Sequence, residues 1–387
     1  MPEALRPLHW LAAIVLLALP AAAQDLEQEP VMRNTLPVYI GTYTHQESRG
    51  IYHATFDADN GTLSEPRLVA EAENPSWLGM HPDLPVLYAV CETGSSDDRV
   101  GGTLRSYAIE DNGDLRLIAS AATMGDAPCH LSVSPDGQHV AVANYTGGNV
   151  AVFPVDREGR VGEAVKVIQH EGSGPTARQQ GPHAHAAAYD LLGDHLLVAD
   201  LGIDQVRLYQ IENTPGILQP NDPPAVDLAP GAGPRHIAVH PTGDYIYVVN
   251  ELDNTVTAFD YNADEGRPVP LQTVTTLPEG FDGNNSTAEI VAHPNGEVLY
   301  ASNRGHDSIA IFALDPDTGR LTPRGHTSTG GSTPRNFNLD PSGTWLLAAN
   351  QEGDSITTFK VDPGTGALTP AKTSTSIDAP VCILFVQ

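Results

Sequence analysis

GAGPRHIAVHPTGDYIYVVNELDNTVTAFDY, residues 231–261, holds three short apolar runs separated by turn chemistry. The runs over 236–239, 245–249 and 256–259 have strand length and strand composition, rich in Val, Ile, Tyr and Phe. Between the first two lies Pro241-Thr242-Gly243-Asp244, in which Pro presets one backbone dihedral and Gly supplies the positive φ of a tight turn. Charged and imidazole side chains stand at the strand ends: Arg235 and His236 begin the first strand and Glu251 follows the second.

Outward from this stretch the pattern recurs as MHPDLPVLYAV (from Met80), VSPDGQHVAVAN (Val133), AYDLLGDHLLVAD (Ala188), AHPNGEVLYASN (Ala292) and LDPSGTWLLAAN (Leu339). Aligned on Pro82, Pro135, Asp190, Pro241, Pro294 and Pro341, the copies lie 47 to 55 residues apart, one four-stranded propeller blade each. A third strand follows a polar pair in most copies (NVAVF from Asn149, QVRLY from Gln205, SIAIF from Ser308, SITTF from Ser355). Turns such as DPDTGRL from Asp315 then lead to a fourth. Six complete copies leave two fragments. APVCILFVQ (379–387) matches only a first strand, whereas PVYIGTYT (37–44) and IYHATF (51–56) match later ones. Joined, they make a seventh blade. The expected fold is therefore all-β, a seven-bladed β-propeller of four-stranded blades over 37–387, closed by pairing the N- and C-terminal strands. Closure of this kind leaves no sheet edge to template aggregation.

Composition agrees and excludes some partners. The 387 residues carry 36 Gly and 32 Pro, as many short strands and turns require, and 40% hydrophobic residues, enough for a core. A formal charge of −28 argues against nucleic acid and against anionic membranes as partners. A salt-adapted source or drift of surface composition would each explain the acidity. Cys91, Cys129 and Cys382 are too few, and odd in number, for a disulfide framework. At the N-terminus, Arg6 and His9 precede an apolar run over 10–19, then Pro20 and Ala21-Ala22-Ala23. That is a charged region, a short apolar region and a small-residue cleavage site, so residues 1–23 read as a signal peptide cleaved near Ala23. Residues 24–36 read as a loose leader, and the mature protein as periplasmic or secreted, and monomeric.

Departures from the repeat locate the chemistry. The position opening each first strand reads Trp77, His130, His185, His236, Glu289, Asn336 and Cys382; the one before it reads Ser76, Cys129, Ala184, Arg235, Ala288, Arg335 and Val381. Second strands end on Asn144, Asn250, Asn303 and Asn350, a column suited to satisfying backbone groups. Just after it come Glu251 and Arg304. Arg235, His236, Glu251, Glu289, Arg304 and Arg335 would meet around one channel mouth, either as a structural ion-pair network or as a site. His183 and His185 have the alternate spacing of metal ligands on a strand, but no third ligand of clear type accompanies them.

GAGPRHIAVHPTGDYIYVVNEL, AEIVAHPNGEVLYASNRGHDSIAIF from Ala288, TPRNFNLDPSGTWLLAANQ from Thr333 and GPHAHAAAYD from Gly181 resemble the seven-bladed lactonase family. That family includes bacterial 6-phosphogluconolactonases of propeller type and fungal carboxymuconate-lactonising enzymes. The resemblance implies a catalytic set of Arg235 and Glu251, Arg304 in SNRG, and His185 with His183 as alternate. His183, His236, Glu289 and Arg335 would bind substrate. The implied activity is opening of a small polar lactone, an aldonolactone, by water, without metal or cofactor. Glu251 or His185 would act as general base and Arg235 or Arg304 would stabilise the oxyanion. No G-x-S-x-G elbow is present, so no acyl-enzyme is expected. The export segment sets the chain apart from the cytoplasmic phosphogluconate enzymes. Three alternatives stay open: a carboxymuconate-type cycloisomerase, a metal-dependent lactonase, and a non-catalytic exported propeller that binds a glycan or protein.

Overall fold

The last six residues of strand sequence, Pro380–Phe385, hydrogen-bond antiparallel to Thr35–Thr42 near the start of the chain, with Val38 opposite Phe385 and Ile40 opposite Ile383. This pairing completes a seventh sheet, continued by Gly50–Asp57 and by an outer strand in two pieces, Thr62–Leu63 and Arg67–Glu71. The computed structural model describes residues 34–95, 101–211 and 218–386, and among them every regular element is a strand. The expected signal segment and the expected leader up to residue 33 lie outside the described residues. The first strand starts at Thr35, two residues before the expected Pro37.

The other six blades follow in chain order, each a four-stranded antiparallel meander. Their innermost strands are Pro75–Met80, Pro128–Val133, Ala184–Tyr189, Pro234–Val239, Ser286–Ala292 and Pro334–Leu339. Each contacts the innermost strand of the next blade, and Pro380–Phe385 contacts both Pro334–Leu339 and Pro75–Met80, so the ring closes. This is a seven-bladed β-propeller. Second strands such as Val86–Cys91 and Trp345–Asn350 are buried at every position because blades cover both of their faces, which is why they read as continuous apolar runs. The core is accordingly divided into seven interfaces, each shared by two neighbouring blades. Proline is confined to where a ladder bond is dispensable. Pro270, Pro323 and Pro370 sit in outermost strands, beside shifts of register.

A tyrosine of the second strand bolts each of several blades to the next. Tyr39, Tyr88, Tyr247 and Tyr300 donate to the carbonyls of Gly113, Gly159, Gly319 and Gly366, the glycines of the following blade's outer hairpin. Gly319 has φ 64°, and a Cβ there would lie 2.2 Å from the Tyr245 ring, so no larger residue fits. The Asn column is structural, as its chemistry suggests. Asn144 and Asn303 donate to the Thr123 and Thr276 carbonyls, just past the outermost strand of the preceding blade, and Asn250 and Asn350 to the Thr255 and Thr357 hydroxyls of their own third strands.

One alignment is corrected. In the third blade Asp190 N–H donates to His195 carbonyl, as His240 N–H does to Tyr245 carbonyl in the fourth, so Asp190 matches His240 and Leu191 matches Pro241. The repeat was set one residue out of step there, and one residue in a strand exchanges the two faces.

Candidate active site

Each innermost strand begins with a β-bulge. In the fourth blade Pro234 faces Asn250 and His236 faces Val249, leaving Arg235 as the additional residue. The corresponding shifts leave Ser76, Cys129, His185, Arg335 and Val381 in the same position. His185 therefore belongs beside Arg235 and Arg335 in the ring of bulge residues, whereas His236 shares its position with Trp77, His130 and Asn336. The backbone enters several of these bulges left-handed, through Asn74, Ala127, Gly233, Thr333 and Ala379.

The bulges and second-strand ends bring the expected quartet together. Glu251, 3% exposed, receives Arg235 Nη1 at 2.6 Å and Arg304 Nη2 at 3.1 Å on Oε2, and Arg178 Nη1 at 2.6 Å on Oε1. Arg235 is fixed further by its Nε donating to Ala288 carbonyl at 3.0 Å, and its Nη1 also meets His185 Nε2. Since guanidinium has only donors, His185 Nε2 accepts and carries the lone pair. Its Nδ1 lies 3.7 Å from Cys129 Sγ, which in turn donates to His185 carbonyl. Arg304 donates to Thr287 carbonyl at 2.9 Å while its buried Nε has no partner among the described residues.

These contacts decide the charge states. Burial alone would raise the Glu251 carboxyl, but Arg235, Arg304 and Arg178 more than offset it and hold it well below the usual carboxylate range. Burial, helped by the charges of Arg235 and Arg335 and only partly offset by Glu251, lowers Arg304 to about 9, still cationic at neutral pH. His185 is driven well below its ordinary value by burial and then by the Arg235 charge, so it is neutral.

A second group adjoins the first. His236 Nδ1 is 3.0 Å from Glu289 Oε1, which also accepts from Ile290 N–H, and Glu289 Oε2 accepts from Asn336 Nδ2 at 2.6 Å. Asn336 is itself held by Ile383 N–H. Burial lifts Glu289 to about 7 despite these bonds, and lowers His236 well below its ordinary value, with Arg235 and Arg335 adding to the effect. The His236 ring packs against Trp77, His130 and His185 at centroid distances of 5.0, 5.3 and 5.2 Å.

The two remaining expected residues form no ion pair with Glu251. His183 lies outside the strand, stacked on Tyr145 with its Nδ1 at Tyr145 carbonyl, and does not reach the Glu251 cluster. Arg335 lies over the Tyr43 ring, whose hydroxyl donates to Glu92, and with Arg304 it lines an open recess of about 420 Å³. The alternate spacing of His183 and His185 brings no shared ligand set, because the bulge re-aims His185. Arg178 was not foreseen. It comes from the loop before the third blade, outside the repeat, and donates to Tyr145 hydroxyl as well as Glu251. Its only sequence signal is a lone cation in an otherwise polar loop.

A ring of seven blades with arginines and histidines gathered on a buried glutamate at one mouth defines a class of propeller with a polar, small-molecule-sized site. The family model described as "Lactonase, 7-bladed beta-propeller" matches residues 37–385, and the chain belongs to that family. It is 37% identical over 350 residues to 6-phosphogluconolactonase of Bacillus subtilis, covering 90% of this chain and 98% of that protein. A 6-phosphogluconolactonase of Formosa agariphila is 34% identical over 314 residues, 78% of this chain and 86% of its own. Among solved structures, the periplasmic gluconolactonase PpgL of Pseudomonas aeruginosa superposes with a TM-score of 0.86 at 34% identity, over 91% of this chain and 99% of that one.

Proposed function

We propose that this protein hydrolyses a small polar lactone, an aldonolactone of the kind opened by 6-phosphogluconolactonases, by metal-independent attack of water. The observation that carries the reading is the Glu251 cluster, in which three arginines are held by one buried carboxylate beside neutral histidines. Ring opening needs a positive donor already in place where the carbonyl oxygen becomes an oxyanion. Arg235 and Arg304 meet that need, fixed by Glu251 and by backbone carbonyls, and Arg304 Nε keeps a spare N–H. Arg335, beside the recess, suits the hydroxyls or anionic end of the substrate through its planar fork.

Glu251 does not serve as the base in this scheme. Both of its oxygens are engaged by guanidinium N–H groups, Oε1 by Arg178 and Oε2 by Arg235 and Arg304, so neither is free to take a proton from water. Its task is to order the arginines and moderate their charge. The N-terminal segment 1–23 exports the chain, with cleavage near Ala23, so that the site works outside the cytoplasm. His185 and His236 remain as sources of the base.

The test is turnover of a panel of aldonolactones, phosphorylated and not, against their spontaneous hydrolysis, with and without chelator. Acceleration of one or more, unchanged by chelator, supports the proposal. No acceleration of any lactone, or conversion of an unsaturated diacid instead, overturns it. N-terminal sequencing of the protein recovered from outside the cytoplasm tests the cleavage position.

A further inference from the structure

We propose that His236, backed by Glu289, is the base that activates the hydrolytic water, and that this water is held in a small cavity against Ser76. The proposal deepens the lactonase reading above and rests on it. Among the buried side-chain atoms of the described residues that lack a hydrogen-bond partner are His236 Nε2 and Ser76 Oγ, and these two residues line one cavity. Their residues are 3% and 4% exposed. The cavity measures about 10 Å³, room for a single water, and Arg235 and Arg335 form part of its wall. Buried polar atoms without partners are rare because each carries a desolvation cost. One water bridging the imidazole lone pair and the hydroxyl would satisfy both.

The tautomer follows from the partners. Both oxygens of Glu289 already accept N–H bonds, from Ile290 and Asn336, so Glu289 offers an acceptor to His236 Nδ1–H. Nε2 then carries the lone pair, on a residue that lines the cavity. His185 is less suited, because its own Nε2 lone pair is engaged by Arg235. The step balances without a further reactant. His236 Nε2 takes a proton from the water as the water oxygen bonds to the lactone carbonyl carbon. The carbonyl electron pair moves to an oxyanion facing Arg235. Collapse breaks the bond to the ring oxygen, which takes the proton back from His236 Nε2–H, leaving the hydroxy acid. Glu289 stabilises the transient imidazolium. The other charged and titratable groups around His236 are His130, His185, Arg235 and Arg335, with Glu251 and Arg304 beyond.

Three measurements test this. In a high-resolution crystal structure of the unliganded protein, a water should lie within hydrogen-bond distance of both His236 Nε2 and Ser76 Oγ; a dry cavity overturns the proposal. With D-glucono-δ-lactone as probe, His236→Gln should lower kcat at least ~100-fold while gluconate binding stays within about twofold. A kcat within about threefold of wild type overturns it. Should His236→Gln fail to fold, Glu289→Gln keeps the question open to measurement. It should lower kcat and displace the acidic limb of the kcat–pH profile, and an unmoved limb at full activity overturns the dyad. Absence of any lactone turnover by the wild type would overturn the lactonase reading instead, and the crystallographic water would still judge the cavity.

Discussion

At Glu251 one carboxylate answers three guanidiniums, and the consequences for activity and stability separate cleanly. Arg235→Ala leaves Glu251 with Arg178 and Arg304 as partners, so the fold should persist while the oxyanion donor is lost. We expect kcat/KM to fall about 10²–10³-fold at an unchanged circular dichroism spectrum; wild-type turnover would remove Arg235 from the mechanism. Glu251→Gln instead leaves three cations without a counter-charge, Arg235 buried and Arg304 nearly so, and should cost about 3 kcal/mol in denaturant unfolding. Its pH dependence has a definite sign. The folded Glu251 carboxyl lies below its ordinary 4.5, so its contribution is fully present above that value and is lost as pH falls beneath it. Thermal melts should show wild type losing stability below about pH 4.5 more steeply than Glu251→Gln. Equal slopes would mean that Glu251 is not held by the arginines in solution.

At the scale of the element, the turn between second and third strands does more than reverse the chain. Asp204, Asp307 and Asp354 sit there with positive φ, which Asp tolerates better than most residues. Their carboxylates accept backbone N–H groups of the loop that begins the next blade: Gly233, Thr333 and Ala379. In these three blades the polar pair before the third strand, visible in the sequence as mere loop chemistry, thus positions the following bulge. Asp354 matters most because Ala379 leads the strand that closes the ring. Asp354→Ala should cost about 1–2 kcal/mol and expose the Thr35–Thr42 edge to faster hydrogen exchange than the other blades. Uniform protection across the seven blades would count against this role.

For the molecule as a whole, the acidity has a partly structural origin. Besides these turns, Asp57, Asp315 and Asp362 accept backbone N–H bonds in outer hairpins. Turn chemistry therefore accounts for part of the excess of 48 acidic over 20 basic residues, alongside surface composition. Repeating a blade repeats its aspartates, and the result is a self-repelling surface. Raising salt from about 0.01 to about 1 M, which shortens the screening length roughly tenfold, should raise the melting temperature by several degrees. A flat or falling dependence would show that the charges are already neutralised locally.

The repeat length, the turn residues and the complementary half-repeats at the two ends were enough to define a seven-bladed closed ring, because blade architecture follows from local pattern repeated in register. Arg235, Glu251 and Arg304 were legible for a related reason, as charges in columns that most other blades fill with uncharged residues. His185 was found by resemblance but assigned to the wrong ring, since a bulge and a one-residue slip at Asp190 carry no compositional mark. Arg178 lay outside every column. Whether Glu251 is base or anchor, and which histidine has a free lone pair, depended on which donors stand within about 3 Å of each acceptor. Those distances are set between neighbouring blades, by residues 50 to 73 positions apart in the chain, and only the packing of blade on blade brings them together.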